Sequence, residues 1–283
     1  MSIETFPLAG ALGAEVRGVS IARIDDAAFK AVHRALLDFG VIYFRNQDIT
    51  PDEQLAFARR WGDVHLHPYL KGLPDRPEII EIVKEPEDKS NFGDHWHTDQ
   101  IFTPTPAMGT MLYAKKVPAA GGDTLFASMY SAYDALSPGM KQLAQRLSTY
   151  NLYDKQAPRS SKMSGKIPDA DKPAVPAIHP LVRVHPETRR PALYLTDMQT
   201  TRRFDSLSED ESRPLLEYLL RHATRPEFTC RLKWEAGTLA IWDNRCLMHM
   251  ALNDYHGYRR VMHRITIKGE PTFGLSASDA RVA

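Results

Sequence analysis

The sequence predicts a mainly β protein with flanking helices, its core a double-stranded β-helix, the double-sheet jelly roll closed into a barrel. Short apolar or alternating segments of about 4 to 8 residues recur along the chain, with Gly, Pro, Asn or Asp turns between them. Such strand segments outnumber helical ones, and the helical spacing falls in the first half and one late insertion. No internal repeat, low-complexity tract or boundary marks a second domain, so residues 1–283 read as one domain.

Residues 3–19 read as two short strands around Gly10 and Gly13. Asp25 or Asp26 can cap a helix in which Phe29, Val32, Leu36 and Leu37 form one stripe, and Gly40 ends it. Val41 to Phe44 is a compact apolar strand. Thr50-Pro51-Asp52-Glu53 is a capping box with proline at the first helical position, and predicts a helix with Leu55 inward that stops near Gly62. His65, His67 and Tyr69 alternate on one side of an extended segment. Residues 78–83 and 107–114 read as strands on either side of a charged loop, 84–94. Pro118 to Thr124 is a tight turn, for which Gly121 and Gly122 supply the backbone freedom. Ser137-Pro138 opens a helix to about Arg146, and a strand follows at 148–153. Lys155 to Pro173 is nearly devoid of apolar residues, and is a candidate lid. Residues 177–184 and 191–196 read as strands joined near Pro186. A helix from about Ser208 to Arg221 carries Leu215, Leu216, Leu219 and Leu220, with Pro214 moving its start later or kinking it. Residues 228–234 alternate as a strand with one wet face. Thr238 to Trp242 and Arg259 to Lys268 complete the strands.

Composition excludes several classes. The 283 residues are 43% hydrophobic and 25% charged, with 36 basic against 35 acidic residues, so no global field draws in nucleic acid or an anionic membrane. Recognition of an anion must therefore be local. Cys230 and Cys246 cannot form a disulfide framework and read as buried thiols of a reducing compartment. There is no signal-peptide h-region and no apolar run of membrane-span length, which makes the cytoplasm the expected location. Oligomeric state, including a homo-oligomer, stays open.

The chemistry centres on Asn91-Phe92-Gly93-Asp94-His95-Trp96-His97-Thr98-Asp99-Gln100. In extended chain, residues i and i+2 share a face, so His97 and Asp99 can present an imidazole nitrogen and a carboxylate side by side. One more ligand would close the facial triad of two histidines and one carboxylate used by non-haem Fe(II) oxygenases. That ligand must come from far along the chain. His33 and His222 lie on helices and read as structural. His179 and His185 precede prolines in loops, and His249 follows a strand in Trp242-Asp243-Asn244-Arg245-Cys246-Leu247-Met248-His249.

The ordered set WHTD, GGDT about 25 residues on, WDNR-x3-H and RRVMHR, together with VIYFRNQ-x-IT, resembles the taurine dioxygenase and phenoxyacid dioxygenase family over nearly the whole chain. That resemblance implies Fe(II), 2-oxoglutarate and O2. It implies His97, Asp99 and His249 as iron ligands and Arg260 with Thr124 on the distal carboxylate of 2-oxoglutarate. For the primary substrate it implies Arg264 on the anionic group, with His67 and the Gln100 backbone amide as further contacts. Positions 260 and 264 share a strand face about 13 Å apart at a rise of roughly 3.3 Å per residue, so one cavity could hold two anions. Leu70 and Gly93 stand where the taurine pocket has tyrosine and asparagine, which favours a larger, more apolar substrate. Tyr194 could stack on a ring or donate a hydrogen bond; as a core aromatic it would do neither.

The reaction implied is hydroxylation of a carbon next to a heteroatom in a small organic anion, an aryloxyalkanoate or an alkylsulfonate such as taurine. Succinate and CO2 form, and the C–O or C–S bond breaks. A zinc hydrolase on the same triad, or a jelly-roll sensor that binds metal and 2-oxoglutarate without turnover, are the rival readings.

Overall fold

The computed structural model describes residues 3–66, 71–153 and 175–275. The expected lid and His67 lie outside the described residues. A seven-stranded sheet forms the main wall, in the order β1 (Glu4–Pro7), β2 (Ala14–Arg17), β3 (Val41–Phe44), β13 (Leu239–Asp243), β5 (Gly109–Lys116), β15 (Arg260–Ile267) and β4 (Ile80–Lys84). Only β2 and β3 pair in parallel; the other neighbours are antiparallel. Facing it is a three-stranded sheet of β12 (Thr229–Leu232), β6 (Thr124–Ser128) and β14 (Leu247–Ala251). Strands β7 (Ser148–Asn151), β8 (Ala177–Pro180) and β11 (Thr201–Phe204) form a third sheet, and β9 (Val182–Val184) pairs with β10 (Pro191–Leu193).

The central strands are buried on both faces, and the period of two sorts their side chains into two cores. Val41, Tyr43, Leu112, Ala114, Ala240 and Trp242 join the core between the sheets. Their neighbours Ile42, Phe44, Met111, Tyr113, Leu239 and Ile241 join the other. That second core is covered by α1 (Asp26–Phe39) and α2 (Pro51–Arg59). Asp25 caps α1, its carboxylate accepting from Ala28 N at 2.7 Å, and Gly40 ends it at φ 72°. The box at α2 closes in both directions, Thr50 N donating to Glu53 Oε2 at 2.7 Å and Glu53 N to Thr50 Oγ1 at 3.3 Å.

Several expectations shift. The stretch 177–184 is two strands, because the chain turns from pairing with β7 to pairing with β10 at Leu181. Both α3 (Met129–Asp134) and β11 are additional to the sequence reading, while α4 (Pro138–Ala144) starts at its expected cap, Ser137. Pro214 does not delay α5 (Glu209–Ala223): Ser208 and Glu211 form a second capping box ahead of it. His249 lies within a strand rather than after one. At Gly122, φ 72°, a Cβ would lie 3.2 Å from the Tyr255 ring and 3.5 Å from Arg260 Cδ.

Candidate active site

A cavity of about 430 Å3, counting its mouth, opens between the seven-stranded and three-stranded sheets. Ile82, Leu112, Trp242, Arg260 and Arg264 line it from one sheet, Thr124 and His249 from the other, and Phe92, Gly93 and His97 from the chain leading to β5.

Backbone pairing brings the two histidines together. His97 N donates to His249 O at 2.9 Å and His249 N to His97 O at 2.8 Å, an isolated antiparallel bridge. Direct opposition in such a bridge sets the side chains against one another, and the imidazole centroids are 4.2 Å apart. Asp99 Oδ1 lies 3.7 Å from His97 Nε2 and Oδ2 lies 3.6 Å from His249 Nε2. The three ligand atoms fall within 4.8 Å of one another.

The protonation states suit a cation. Burial lowers the pKa of both imidazoles, and the neighbouring ring lowers that of His249 further, so each is held neutral with a lone pair to give. His97 Nδ1 faces His95 O at 2.7 Å, which makes Nδ1 the N–H and directs the bare Nε2 toward Asp99. Burial opposes ionisation of Asp99, but the Arg264 guanidinium, the two imidazoles and the Thr110 hydroxyl hold its carboxyl well below the usual range. Two neutral imidazoles and one carboxylate on one side of an otherwise open cavity fit a ferrous ion.

The wall beyond them is cationic. Arg260 is buried, and its Nε and Nη2 have no hydrogen-bond partner among the described residues. Thr124 Oγ1 accepts from Trp234 Nε1 at 2.9 Å, so its own proton is free to donate into the cavity. Two buried donors without partners beside a free hydroxyl fit the carboxylate of 2-oxoglutarate. Arg264 reaches the same cavity, where Nη2 pairs with Asp99 Oδ1 at 2.7 Å while Nε has no partner among the described residues. Its guanidinium carbon is 5.5 Å from the Phe92 ring centroid.

Two of the expected substrate contacts are not part of this lining. Tyr194 is a core residue at 1% exposure, its ring under the Arg183 guanidinium and edge-on to His179. Gln100, whose backbone amide is the expected contact, is absent from the lining; it follows Asp99 at φ 56°, and its side chain turns to His65, Nε2 to Nδ1 3.3 Å. His179 and His185 are buried and structural. His179 Nε2 donates to Ile101 O at 2.8 Å, and His185 Nε2 donates to Asp243 Oδ2 at 3.0 Å.

His185, Asp243 and Cys246 also come close enough to suggest a metal site. Their bonds argue otherwise. His185 Nδ1 already accepts from the backbone of Glu187 and Thr188, and Asp243 is paired with Arg245 through Nε at 2.9 Å and Nη2 at 2.7 Å. With those lone pairs occupied, the cluster is a buried ion-pair network that fixes the end of β13.

The family model described as the taurine catabolism dioxygenase TauD, TfdA family matches residues 4–266. The chain belongs to this family. It is 32% identical to an alpha-ketoglutarate-dependent sulfate ester dioxygenase of Pseudomonas putida, covering 99% of this chain and 94% of that one. It is 32% identical to an (S)-phenoxypropionate/alpha-ketoglutarate-dioxygenase of Sphingobium herbicidovorans, covering 95% and 96%. The solved structure of a taurine dioxygenase from Burkholderia xenovorans superposes with a TM-score of 0.83 at 32% identity, covering 97% of this chain and 93% of that one. Its place among these dioxygenases makes this family member an oxidoreductase that uses Fe(II), 2-oxoglutarate and O2.

Sequence reading missed Phe92 and Ile82 as cavity walls and Thr110 as a contact of Asp99. Phe92 carried a signal, an aromatic in an otherwise charged and polar loop. Thr110 carried none, since a threonine inside a buried strand is ordinary.

Proposed function

We propose that this protein hydroxylates the carbon next to a heteroatom in a small organic anion, with His97, Asp99 and His249 as the iron ligands. Supporting this reading is one juxtaposition: the three potential ligands stand at one side of a cavity whose wall carries two buried arginines. Bound there, Fe(II) with 2-oxoglutarate and O2 supplies the oxidant that replaces C–H by C–OH, the co-substrate leaving as succinate and CO2.

The protein's share is binding and orientation. Arg260 and Thr124 hold the distal carboxylate of 2-oxoglutarate through charge-assisted hydrogen bonds. Arg264 offers its guanidinium to the anionic group of the substrate, leaving Asp99 to the metal. Phe92, Ile82 and Leu112 pack the remainder of the substrate, keep water out and set the reacting carbon. A hydroxyl placed on a carbon that already bears oxygen or sulfur makes the product collapse unaided. An alkylsulfonate then gives sulfite and an aldehyde, an aryloxyalkanoate gives a phenol and a keto or aldehyde acid, and a sulfate ester gives sulfate and an aldehyde.

The apolar walls favour substrates with an alkyl or aryl body over taurine. The same reading takes the two facing sheets as the halves of a double-stranded β-helix and residues 1–283 as one dioxygenase domain. It keeps His67 as a substrate contact and assigns no role to nucleic acid or membrane. Among the described residues no helix is long and apolar enough to cross a membrane. Cys230 and Cys246 are free and buried, in keeping with a cytoplasmic location.

The test is succinate release over a panel of alkyl sulfates, aryloxyalkanoates and alkylsulfonates, with Fe(II) and 2-oxoglutarate supplied. We expect stimulation by the first two classes. Binding of 2-oxoglutarate without stimulation by any of them would favour the sensor, and substrate cleavage without succinate a zinc hydrolase.

A further inference from the structure

We infer that Trp242, Asn244 and Thr110 form a one-way hydrogen-bond relay that fixes which oxygen of Asp99 is offered to the metal, a positioning role resting on the metal reading above. The four side chains are sealed from solvent, at 3%, 0%, 0% and 4% exposure for Trp242, Asn244, Thr110 and Asp99. Thr110 lies on β5 directly opposite Trp242 on β13. Asn244 is the first residue past β13, and its backbone N donates to Met108 O at 2.9 Å, which keeps it beside the same rung.

Trp242 Nε1 donates to Asn244 Oδ1 at 3.0 Å, Asn244 Nδ2 donates to Thr110 Oγ1 at 3.1 Å, and Thr110 Oγ1 donates to Asp99 Oδ2 at 2.6 Å. The direction of every bond follows from the first. An indole N–H can only donate, so the amide oxygen of Asn244 must face it and the amide nitrogen must face Thr110. Thr110 therefore accepts on that side, and its single proton has one place to go, the Asp99 carboxylate. A hydrogen bond to an ionised acceptor is among the stronger kinds, and successive bonds polarise one another.

The two carboxylate oxygens are thus made unequal. Oδ2 is tied through three side chains to the centre of the main sheet. Oδ1 pairs at 2.7 Å with Arg264, the residue assigned to the substrate. The relay leaves Oδ1 as the oxygen offered to the metal and keeps Asp99 from closing over a second coordination position.

The test is anaerobic titration with Fe(II), and with Co(II) as a coloured probe, of wild type, His97→Ala, Thr110→Val, Thr110→Ser and Asn244→Asp, without substrate turnover. Loss of an outer partner of a ligand lowers metal affinity by about ten-fold or more. We expect that loss for Thr110→Val, which keeps the shape and removes the hydroxyl, and recovery close to wild type for Thr110→Ser. Asn244→Asp presents an acceptor where Thr110 met a donor and turns the hydroxyl away from Asp99. It should also weaken binding, although its charge by itself would strengthen it, and it carries the test if Thr110→Val does not fold. Wild-type affinity in Thr110→Val, equal losses in Thr110→Val and Thr110→Ser, or unchanged or tighter binding in Asn244→Asp would each overturn the relay. Wild-type binding that His97→Ala does not abolish would instead overturn the metal reading itself.

Discussion

Arg260 and Arg264 stand four residues apart on one strand and differ in what they touch, the first having two nitrogens without a partner among the described residues and the second being tied to Asp99 through Nη2. Removing Arg260 should therefore act on the co-substrate. Loss of hydrogen bonds to a charged group costs about 1.5–3 kcal/mol, so Arg260→Ala should raise the KM for 2-oxoglutarate by roughly 10- to 150-fold. Arg264→Ala should leave the anaerobic visible band of Fe(II) with 2-oxoglutarate intact and raise the KM of the primary substrate. Disappearance of the band would show that the two roles are assigned wrongly. His179 supplies a pH dependence. Burial, helped by the Arg183 charge, lowers its pKa from the ordinary 6.5 to about 4 against the opposing pull of its bond to Ile101 O; the neutral ring donates from Nε2 to Ile101 O and accepts at Nδ1 from Thr272. The unfolded chain takes up this proton first, so the stabilisation is complete above pH 6.5 and is lost as pH falls toward 4. Its extent is on the order of 3 kcal/mol. Chemical denaturation across that window should show the loss, and His179→Gln should flatten it.

At the scale of elements, the site depends on how a loop is strapped to a strand. Ala251 N on β14 donates to Gly93 O at 2.8 Å, one turn of chain before His97 is itself bridged to His249. Gly93 has φ 78°, and a Cβ there would lie 2.8 Å from His97 Cε1. The imidazole cannot easily retreat, because its Nδ1 is held by His95 O. Gly93→Ala thus combines left-handed strain with a collision against a proposed ligand, at about 1–3 kcal/mol. It should lower both thermal stability and Fe(II) affinity, measured by melting and anaerobic titration; an unchanged affinity would show that the imidazole has room the geometry denies it.

Across the whole molecule, the seven-stranded sheet divides two apolar cores, and the cavity opens on the side where polar groups interrupt the packing. Asp99, Arg260 and Arg264 are each at most 6% exposed, and desolvation is a cost that bound ligands offset. Metal and 2-oxoglutarate that bind only the folded state should raise Tm, by linkage worth about 2.7 kcal/mol at a hundred times Kd. A thermal scan with Mn(II) and 2-oxoglutarate, alone and together, checks this. Additive or smaller shifts would indicate separate sites, whereas a cooperative rise is expected if the co-substrate chelates the metal.

Local signals sufficed for much of the chain. The caps at Asp25 and Thr50, the alternation within 228–234 and the i, i+2 spacing of His97 and Asp99 are encoded within a few residues of one another, so they can be read before folding. Motif order, as a resemblance, brought in His249 and the arginines. Tertiary structure alone decided that Tyr194 packs in the core instead of lining the cavity, that 177–184 divides between two sheets, and that Arg264 touches Asp99. It alone joined Thr110 to Asn244, 134 residues apart in sequence. Each of these depends on which strand lies beside which, a choice made by burying both faces of a sheet at once, and no window of sequence holds both partners.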